Sequence, residues 1–588
     1  MGFEINKNCK IISSNKVYVY DEIIENIQKI KRQLPLNEKR IGICVGHDEY
    51  FLFSAMALME SNITYIPISN MDPMDRVQYI LKDCGIKTVI TNENYSSKFQ
   101  NVKRIDVEKV RQDSYIINET FAENSSDNDY VYILYTSGTT GRPKGVVITR
   151  DNLSAFLDGI QNKIHYSNDT IMLYHTAYTF DISFLESMAV LAQGGTVVVA
   201  NNDEYTNARS LLRILETQNI NTLQITPSKL GLLIKLDSTL SFLNNLKLLM
   251  VGGEVFPVNL LHKLQEKREK DNLSLTILNM YGPTETTIWS TISDLTHKAR
   301  VDVGFPIKNA EIYILDEGRN ILDKNLEGEI FIAGRVVGEK YIRNDLLTES
   351  KFTHIWVNGK EIRGFLTGDN GKINEEGALE CYNRKDSQVK INGLRIELEE
   401  IESIMQDFLV DKCCAVIKIE HSDSSELLAC VNDKDIDVEG LQKYLSGKLP
   451  QYMVPNLYCF VEEIPYTTSA KLDRKKLMEM CKNTQLISPF YIEKKESEKQ
   501  EKCDELQDKL IQIISNAVEN SIVSISQQEK LTAIGINSLS FIDIIVSTEE
   551  EFDIEFDENK LVVSEFPTFM DLLAYVRMKI GESKWIGG

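Results

Sequence analysis

From about residue 17 to 385, short runs that are apolar at nearly every position recur along the chain, for instance at 40–45, 87–91, 130–135, 195–200 and 247–251. Longer stretches with helical spacing of their apolar positions separate them. A run without polar alternation predicts a strand buried on both faces, and its alternation with amphipathic helices predicts an α/β fold of parallel sheets covered by helices. After residue 304 the tempo changes, with runs at 310–316 and 328–333 set closer together between turn residues, which predicts a smaller antiparallel or barrel-like unit. A compact α+β unit is expected at 386–482, and the stretch 493–502 is mixed in charge with no apolar face, as a tether or solvated helix start would be. The remainder has the pattern of a small, acidic helical bundle. The expected organisation is thus a large domain at 1–385, a small one at 386–482, a linker at 483–502 and an appended helical domain at 503–582.

Charge and composition narrow the partners. The 588 residues include 65 basic and 87 acidic ones, a formal charge of −22, which argues against nucleic acid or anionic membrane because both require basic surface. No apolar run reaches the length of a membrane span and the first residues lack the apolar core of a secretory signal, so a cytoplasmic location is expected. Ten scattered cysteines without a C-x-x-C pair indicate neither a zinc site nor a disulfide framework.

One loop brings in chemistry. Residues 136–145 read Thr-Ser-Gly-Thr-Thr-Gly-Arg-Pro-Lys-Gly directly after the apolar run 130–135, so the loop projects from the end of a strand. Glycines permit a tight turn with N–H groups facing inward. Thr136, Ser137, Thr139 and Thr140 add hydroxyl groups and Lys144 a positive charge, a set suited to an oligophosphate. On composition alone a flexible Ser/Thr/Gly surface loop fits as well. A Walker A loop does not, because Arg142 and Pro143 separate Gly141 from Lys144.

As a whole the loop resembles the phosphate-binding signature of the adenylate-forming superfamily, which includes acyl-CoA ligases, luciferases and the adenylation domains of nonribosomal peptide synthetases. Further matches follow in order. Asn279-Met280-Tyr281-Gly282-Pro283-Thr284-Glu285 resembles the motif whose tyrosine packs on adenine, whose threonine reaches phosphate and whose glutamate helps to hold magnesium. A single carboxylate beside phosphate oxygens suits that ion. Phe365-Leu366-Thr367-Gly368-Asp369 resembles the motif in which aspartate binds both ribose hydroxyls, and the segment from Arg384 onward resembles the one that approaches ribose or phosphate. Within it Asp386 matches the hinge, although Asn383 stands where the family usually has glycine. Lys471 matches the C-terminal lysine that bridges the substrate carboxylate and the α-phosphate. The resemblance therefore implies an ATP site of Thr136, Ser137, Gly138, Thr139, Thr140, Gly141, Lys144, Asn279, Met280, Tyr281, Gly282, Thr284, Asp369, Arg384 and Lys471. Lys144, Glu285 and Lys471 would be catalytic, with Mg2+ on Glu285.

The appended domain and one further stretch choose among the branches. Ser538, in Gly535-Ile536-Asn537-Ser538-Leu539, precedes apolar helical spacing and could simply cap a helix. The region resembles a peptidyl carrier protein, whose serine at this point receives 4′-phosphopantetheine from a phosphopantetheinyl transferase, although many carriers have Asp or His where Asn537 stands. Phe180-Asp181-Ile182 resembles the adenylation-domain motif whose aspartate binds an α-amino group. Matched by motif, the specificity positions are Asp181, Ile182, Leu185, Gln224, Met250, Gly252, Met280, Ile288, Trp289 and Lys471, with Phe180 beside them. Their bulk leaves little room for a side chain and resembles the set of glycine-activating domains, with alanine as the near competitor. The resemblance thus implies an adenylation–carrier didomain. It would convert glycine and ATP to glycyl-AMP and pyrophosphate, load its own carrier, and pass the glycyl group to a condensation or tailoring enzyme in trans. A CoA ligase and an inactive nucleotide-binding scaffold stand as rivals.

Overall fold

The computed structural model describes residues 4–14, 16–112, 129–138, 142–202, 204–205, 207–385, 387–391, 393–409, 412–420, 425–434, 436–466, 472–481, 486–487, 505–517, 531, 536, 538–552, 554–557, 560, 563–566 and 568–586. The chain divides into two compact units, one of residues 1–400 with 448–450, the other of 401–447 with 451–588.

The first unit is built on two large sheets. A nine-stranded sheet runs in the order Phe305–Pro306, Thr291–Asp294, Thr276–Tyr281, Leu248–Gly252, Thr222–Ile225, Ile171–Tyr174, Thr196–Val199, Lys10–Ser13 and Lys16–Val19. A seven-stranded sheet runs Lys340–Tyr341, Lys144–Thr149, Tyr130–Thr136, Thr64–Pro67, Arg40–Cys44, Thr88–Thr91 and Lys103–Asp106. Interior strands are parallel and antiparallel ones lie towards the edges. The contiguous apolar runs account for this, since Ile41, Ile43, Val89, Ile90, Leu249 and Val251 are all fully buried between helices. The run expected after residue 304 forms an open five-stranded antiparallel sheet of Ala310–Leu315, Gly328–Gly334, Lys360–Ile373, Phe352–Val357 and Leu379–Arg384. A two-stranded hairpin, Gln388–Ile391 and Leu394–Glu397, also belongs to this unit.

In the second unit, Cys414–Glu420, Ser425–Val431, Leu457–Phe460 and Leu486–Ile487 make a four-stranded sheet with the helices Val438–Ser446 and Arg474–Cys481. Farther along, the helices Glu505–Ala517, Ser538–Phe552 and Phe569–Ile586 enclose their own core of Leu510, Ile514, Phe541, Ile544, Phe569 and Leu572. Of the expected linker at 483–502, all but residues 486–487 lies outside the described residues. Among the described residues no helix is long and apolar enough to cross a membrane.

Strand ends, where side chains leave the core, carry the chemistry in such sheets. The return strand Lys144–Thr149 is held in place from behind by Asn152 in the first turn of the helix Arg150–Ile160. The Thr149 hydroxyl accepts the Asn152 N–H at 3.1 Å and the Asn152 amide oxygen accepts the Thr149 N–H at 2.9 Å. The amide nitrogen meanwhile donates to the carbonyls of Arg335 and Val337 at 2.8 and 2.9 Å. Asn152→Ala removes the donors for two carbonyls together with half of the cap. A loss of about 2–3 kcal/mol is expected, read from the denaturant midpoint of Trp fluorescence, with Asn152→Asp no better because it cannot donate.

Candidate functional site

The loop after Tyr130–Thr136 is the turn of an antiparallel pair in which Thr136 faces Lys144. A Cβ on Gly138 would stand 2.0 Å from the Arg142 carbonyl oxygen, so this turn requires glycine. Ser137 is buried, and the Thr136 hydroxyl is buried with no hydrogen-bond partner among the described residues. Thr139, Thr140 and Gly141 lie outside the described residues. Lys144 leaves the loop as the first residue of the return strand, 3.4 Å from Glu397 Oε1 and 3.8 Å from Glu285 Oε1, with its ammonium 5.3 Å from the Tyr341 ring centroid. Burial, with the Arg395 charge adding to it, lowers its pKa to about 8.

Glu285 sits at the centre, fully buried in the short turn Thr284–Thr286. Arg395 donates to its Oε1 and Oε2 at 3.1 and 2.8 Å, and the Tyr341 hydroxyl donates to Oε1 at 2.7 Å. Burial alone would raise its pKa, but the charges of Arg395 and Lys144 and the Tyr341 hydrogen bond outweigh it and bring the carboxyl down to about 2. Arg395, half-buried, is held firmly charged by Glu285 and Glu397. A single ionised carboxylate beside a lysine and an unpartnered hydroxyl fits a magnesium ion that takes its other ligands from phosphate and water. Arg395 now holds both of the oxygens such an ion would use.

The residues that follow Glu285 are backbone outliers. Thr287 and Ile288, both β-branched, have φ of 60° and 68°, a conformation that costs roughly 1–3 kcal/mol at each residue and is kept where the surroundings enforce it. The turn directs the Ile288 N–H to Asp181 Oδ2 at 3.2 Å. Burial raises the Asp181 pKa to about 6, against the lowering effect of the Thr284 hydroxyl and the Ile288 N–H. Among the described residues no cationic side chain forms a salt bridge with this carboxylate.

Strand ends of the nine-stranded sheet supply the walls around Asp181. Gln224, Met250, Gly252 and Met280 come from three adjacent strands, in which Gln224 pairs with Met250 and Gly252 with Met280. Leu185, Met250, Met280, Ile288 and Trp289 are each at most 2 % exposed, while Phe180 and Ile182 are half-buried. A Cβ on Gly252 would lie 2.8 Å from Trp289 Cη2 and 2.8 Å from the Met280 carbonyl oxygen, so the indole rests directly on the glycine backbone. Among the described residues the Gln224 amide oxygen and Trp289 Nε1 are buried without hydrogen-bond partners.

Asp369, in the long strand Lys360–Ile373, accepts from the Tyr281 hydroxyl and from Arg384, each at 2.6 Å. Arg384 also donates to the Thr367 carbonyl at 2.9 Å. Asn279 donates to the Asp302 carbonyl at 2.8 Å. A Cβ on Gly282 would lie 2.7 Å from the Ser290 N, another close backbone approach that explains a glycine. Asp386 and Lys471 lie outside the described residues, and Ser538 begins the helix Ser538–Phe552.

Sequence reasoning assigned no role to several groups in this cluster. The Arg395 carbonyl accepts from the Ser137 hydroxyl at 3.0 Å, and Glu400 Oε2 accepts the Gly138 N–H at 2.9 Å. Arg76 lies 3.4 Å from Glu400 Oε1. The one available signal was the charged run Arg395-Ile396-Glu397-Leu398-Glu399-Glu400, whose Glu397 and Glu400 are almost completely buried although charged residues rarely are.

Comparison with known proteins agrees with this geometry. The family described as AMP-binding enzyme matches residues 33–342, and the one described as phosphopantetheine attachment site matches 508–576. A dimodular nonribosomal peptide synthase of Bacillus subtilis (strain 168) is 32% identical over 452 residues, 75% of this chain but only 18% of that longer protein. The structure of holo-PA1221, an NRPS protein containing adenylation and PCP domains bound to a vinylsulfonamide inhibitor, aligns at a TM-score of 0.79 and 20% identity, covering 97% of this chain and 94% of that one. The structure of holo-AB3403, a four-domain nonribosomal peptide synthetase bound to AMP and glycine, aligns at a TM-score of 0.59 and 26% identity over 97% of this chain and 42% of the other. This chain therefore belongs to the AMP-binding enzyme family, as an adenylation region of the nonribosomal peptide synthetase type joined to a phosphopantetheine attachment region.

Proposed function

We propose that the protein activates glycine with ATP and loads it onto its own carrier region. The observation that carries the choice of glycine is the packing of Trp289 on the Gly252 backbone beside the buried Met250, Met280 and Leu185. A wall closed in this way rejects larger substrates by overlap, at a cost of about 1–3 kcal/mol for each forced insertion. Asp181 favours an amino acid over a plain carboxylic acid, because an α-ammonium provides a cation for a buried carboxylate that has none among the described residues. The glycine bound to holo-AB3403 lends support.

In the first half-reaction the glycine carboxylate attacks the α-phosphorus. The new bond is acyl oxygen to phosphorus, the bond between the α-phosphorus and its bridging oxygen breaks, and pyrophosphate leaves. Asp181 holds the ammonium, Asp369 and Arg384 the ribose, and Tyr281 packs on adenine. Thr136, Ser137, the Gly138 N–H, Lys144 and Thr284 hold the phosphates, with Lys471 between carboxylate and α-phosphate. Mg2+, held by Glu285, would offset phosphate charge. A phosphopantetheine attached to Ser538 by a transferase would supply the thiol that takes the glycyl group and releases AMP. A condensation or tailoring enzyme acting in trans would receive it, and the supply of ATP and amino acid places this chemistry in the cytoplasm.

Protein co-expressed with a phosphopantetheinyl transferase, then given ATP and each small amino acid, is expected to gain the mass of glycine, with alanine well behind. Preference for a large side chain would remove the argument from the filled pocket. Ser538→Ala should lose both the prosthetic-group mass and loading while keeping glycine-dependent pyrophosphate exchange.

Charge at Asp181 gives a pH dependence. The free carboxylate is ionised above about 6, so kcat/KM for glycine in pyrophosphate exchange should be full above that pH and fall with falling pH. Asp181→Asn should be slow at every pH, without that limb. Glu285→Gln should lower kcat by roughly 10²–10³ in the same assay, whereas a site that did not use this carboxylate would lose far less.

A further inference from the structure

One carboxylate ties the hairpin Gln388–Ile391 and Leu394–Glu397 to the walls of the pocket. Glu254 follows the strand Leu248–Gly252, which carries Met250 and Gly252. Its Oε2 accepts from the Ser228 N–H at 2.9 Å and the Ser228 hydroxyl at 2.6 Å. Ser228 lies in the first turn of the helix Pro227–Leu236, which opens just past Gln224 and Ile225, so the helix dipole favours an anion here. The other oxygen of Glu254 accepts the N–H of Gly393 at the hairpin's turn. Gly393 has φ of 78°, and a Cβ there would lie 2.5 Å from Thr226 Cγ2, so the turn rests on the end of the Gln224 strand.

The docked hairpin corresponds to one particular state of the site. Arg395 spans both Glu285 oxygens, Glu397 faces Lys144, and Glu400 takes the Gly138 N–H. The chain's own charges thus stand where metal and phosphates are proposed to bind, a cation on Glu285 and carboxylates on the loop. This arrangement and Mg·pyrophosphate exclude one another. A contact that holds the hairpin in this docked arrangement favours the enzyme after pyrophosphate has left, when the aminoacyl group is still to be transferred.

We infer that Glu254 is a positioning residue for aminoacyl transfer, the clasp that holds the hairpin turn across the ends of two strands that line the amino-acid pocket. Its hydrogen-bond partners among the described residues, Ser228 and Gly393, are not groups assigned to glycine or ATP. Its effect is therefore confined to the second half-reaction, and the inference rests on the adenylation–thiolation reading above.

The test uses the full-length holo protein and separates the two half-reactions. Adenylation is read as glycine-dependent pyrophosphate exchange and transfer as single-turnover loading of radiolabelled glycine. Glu254→Ala should leave exchange within about twofold of the parent and slow transfer about tenfold or more, the range expected when hydrogen bonds to a charged group are lost. Glu254→Gln, which keeps a carbonyl oxygen, should fall between the two, and Ser228→Ala should add little once Glu254 is already alanine. Equal slowing of both half-reactions in the Gln variant, or unchanged transfer in the Ala variant, would overturn the inference. If the parent protein exchanges but never loads, the underlying reading fails and the role of Glu254 fails with it.

Discussion

A fully buried carboxylate that must never lack a cation governs this site. Glu285 is shut away from water, yet Arg395, Lys144 and Tyr341 hold it ionised with a pKa of about 2. Leaving such a group without its partner costs about 3–5 kcal/mol, so whatever removes the Arg395 guanidinium has to bring another positive charge. The turn that carries Glu285 also carries Thr287 and Ile288 in the left-handed region, and from there the Ile288 N–H reaches Asp181. Lys144 of the glycine-rich loop, the Glu285 carboxylate and the walls around Asp181 are thus fastened to one another through four consecutive residues.

The sheets explain how residues far apart in sequence meet there. Lys144 arrives from the return strand of the seven-stranded sheet, while Gln224, Met250 and Met280 come from neighbouring strands of the nine-stranded one. Asp369 comes from the antiparallel sheet, and its two oxygens are taken by Tyr281 and Arg384. Ribose hydroxyls would compete for those same oxygens. At Glu285 and at Asp369, polar side chains of the chain hold one another in the positions from which the proposed substrate groups would displace them.

Much of the fold was legible because fully buried strands have a distinctive pattern. The runs at 40–45, 87–91, 195–200 and 247–251 all contain strands, at Arg40–Cys44, Thr88–Thr91, Thr196–Val199 and Leu248–Gly252. The run at 310–316 contains Ala310–Leu315, but sequence tempo alone did not say whether its sheet would be open or closed. Within the site, Lys144, Asp181, Glu285 and Asp369 were recognisable from motifs. Arg395, Glu397, Glu400 and Tyr341 were not, because an ion pair between residues 110 positions apart, as for Arg395 and Glu285, leaves no local signature. The clasp at Glu254 was invisible for the same reason, since it joins Ser228 and Gly393 across more than one hundred residues.

The most direct measurement of the cation requirement at Glu285 is the thermal unfolding of Arg395→Met, followed with and without Mg·ATP. Without nucleotide the variant should melt well below the parent protein, because a buried carboxylate has lost its guanidinium. Saturating Mg·ATP should recover most of that deficit by placing a metal where Arg395 stood. A deficit of the same size in both conditions would contradict the exchange of one cation for another at this carboxylate.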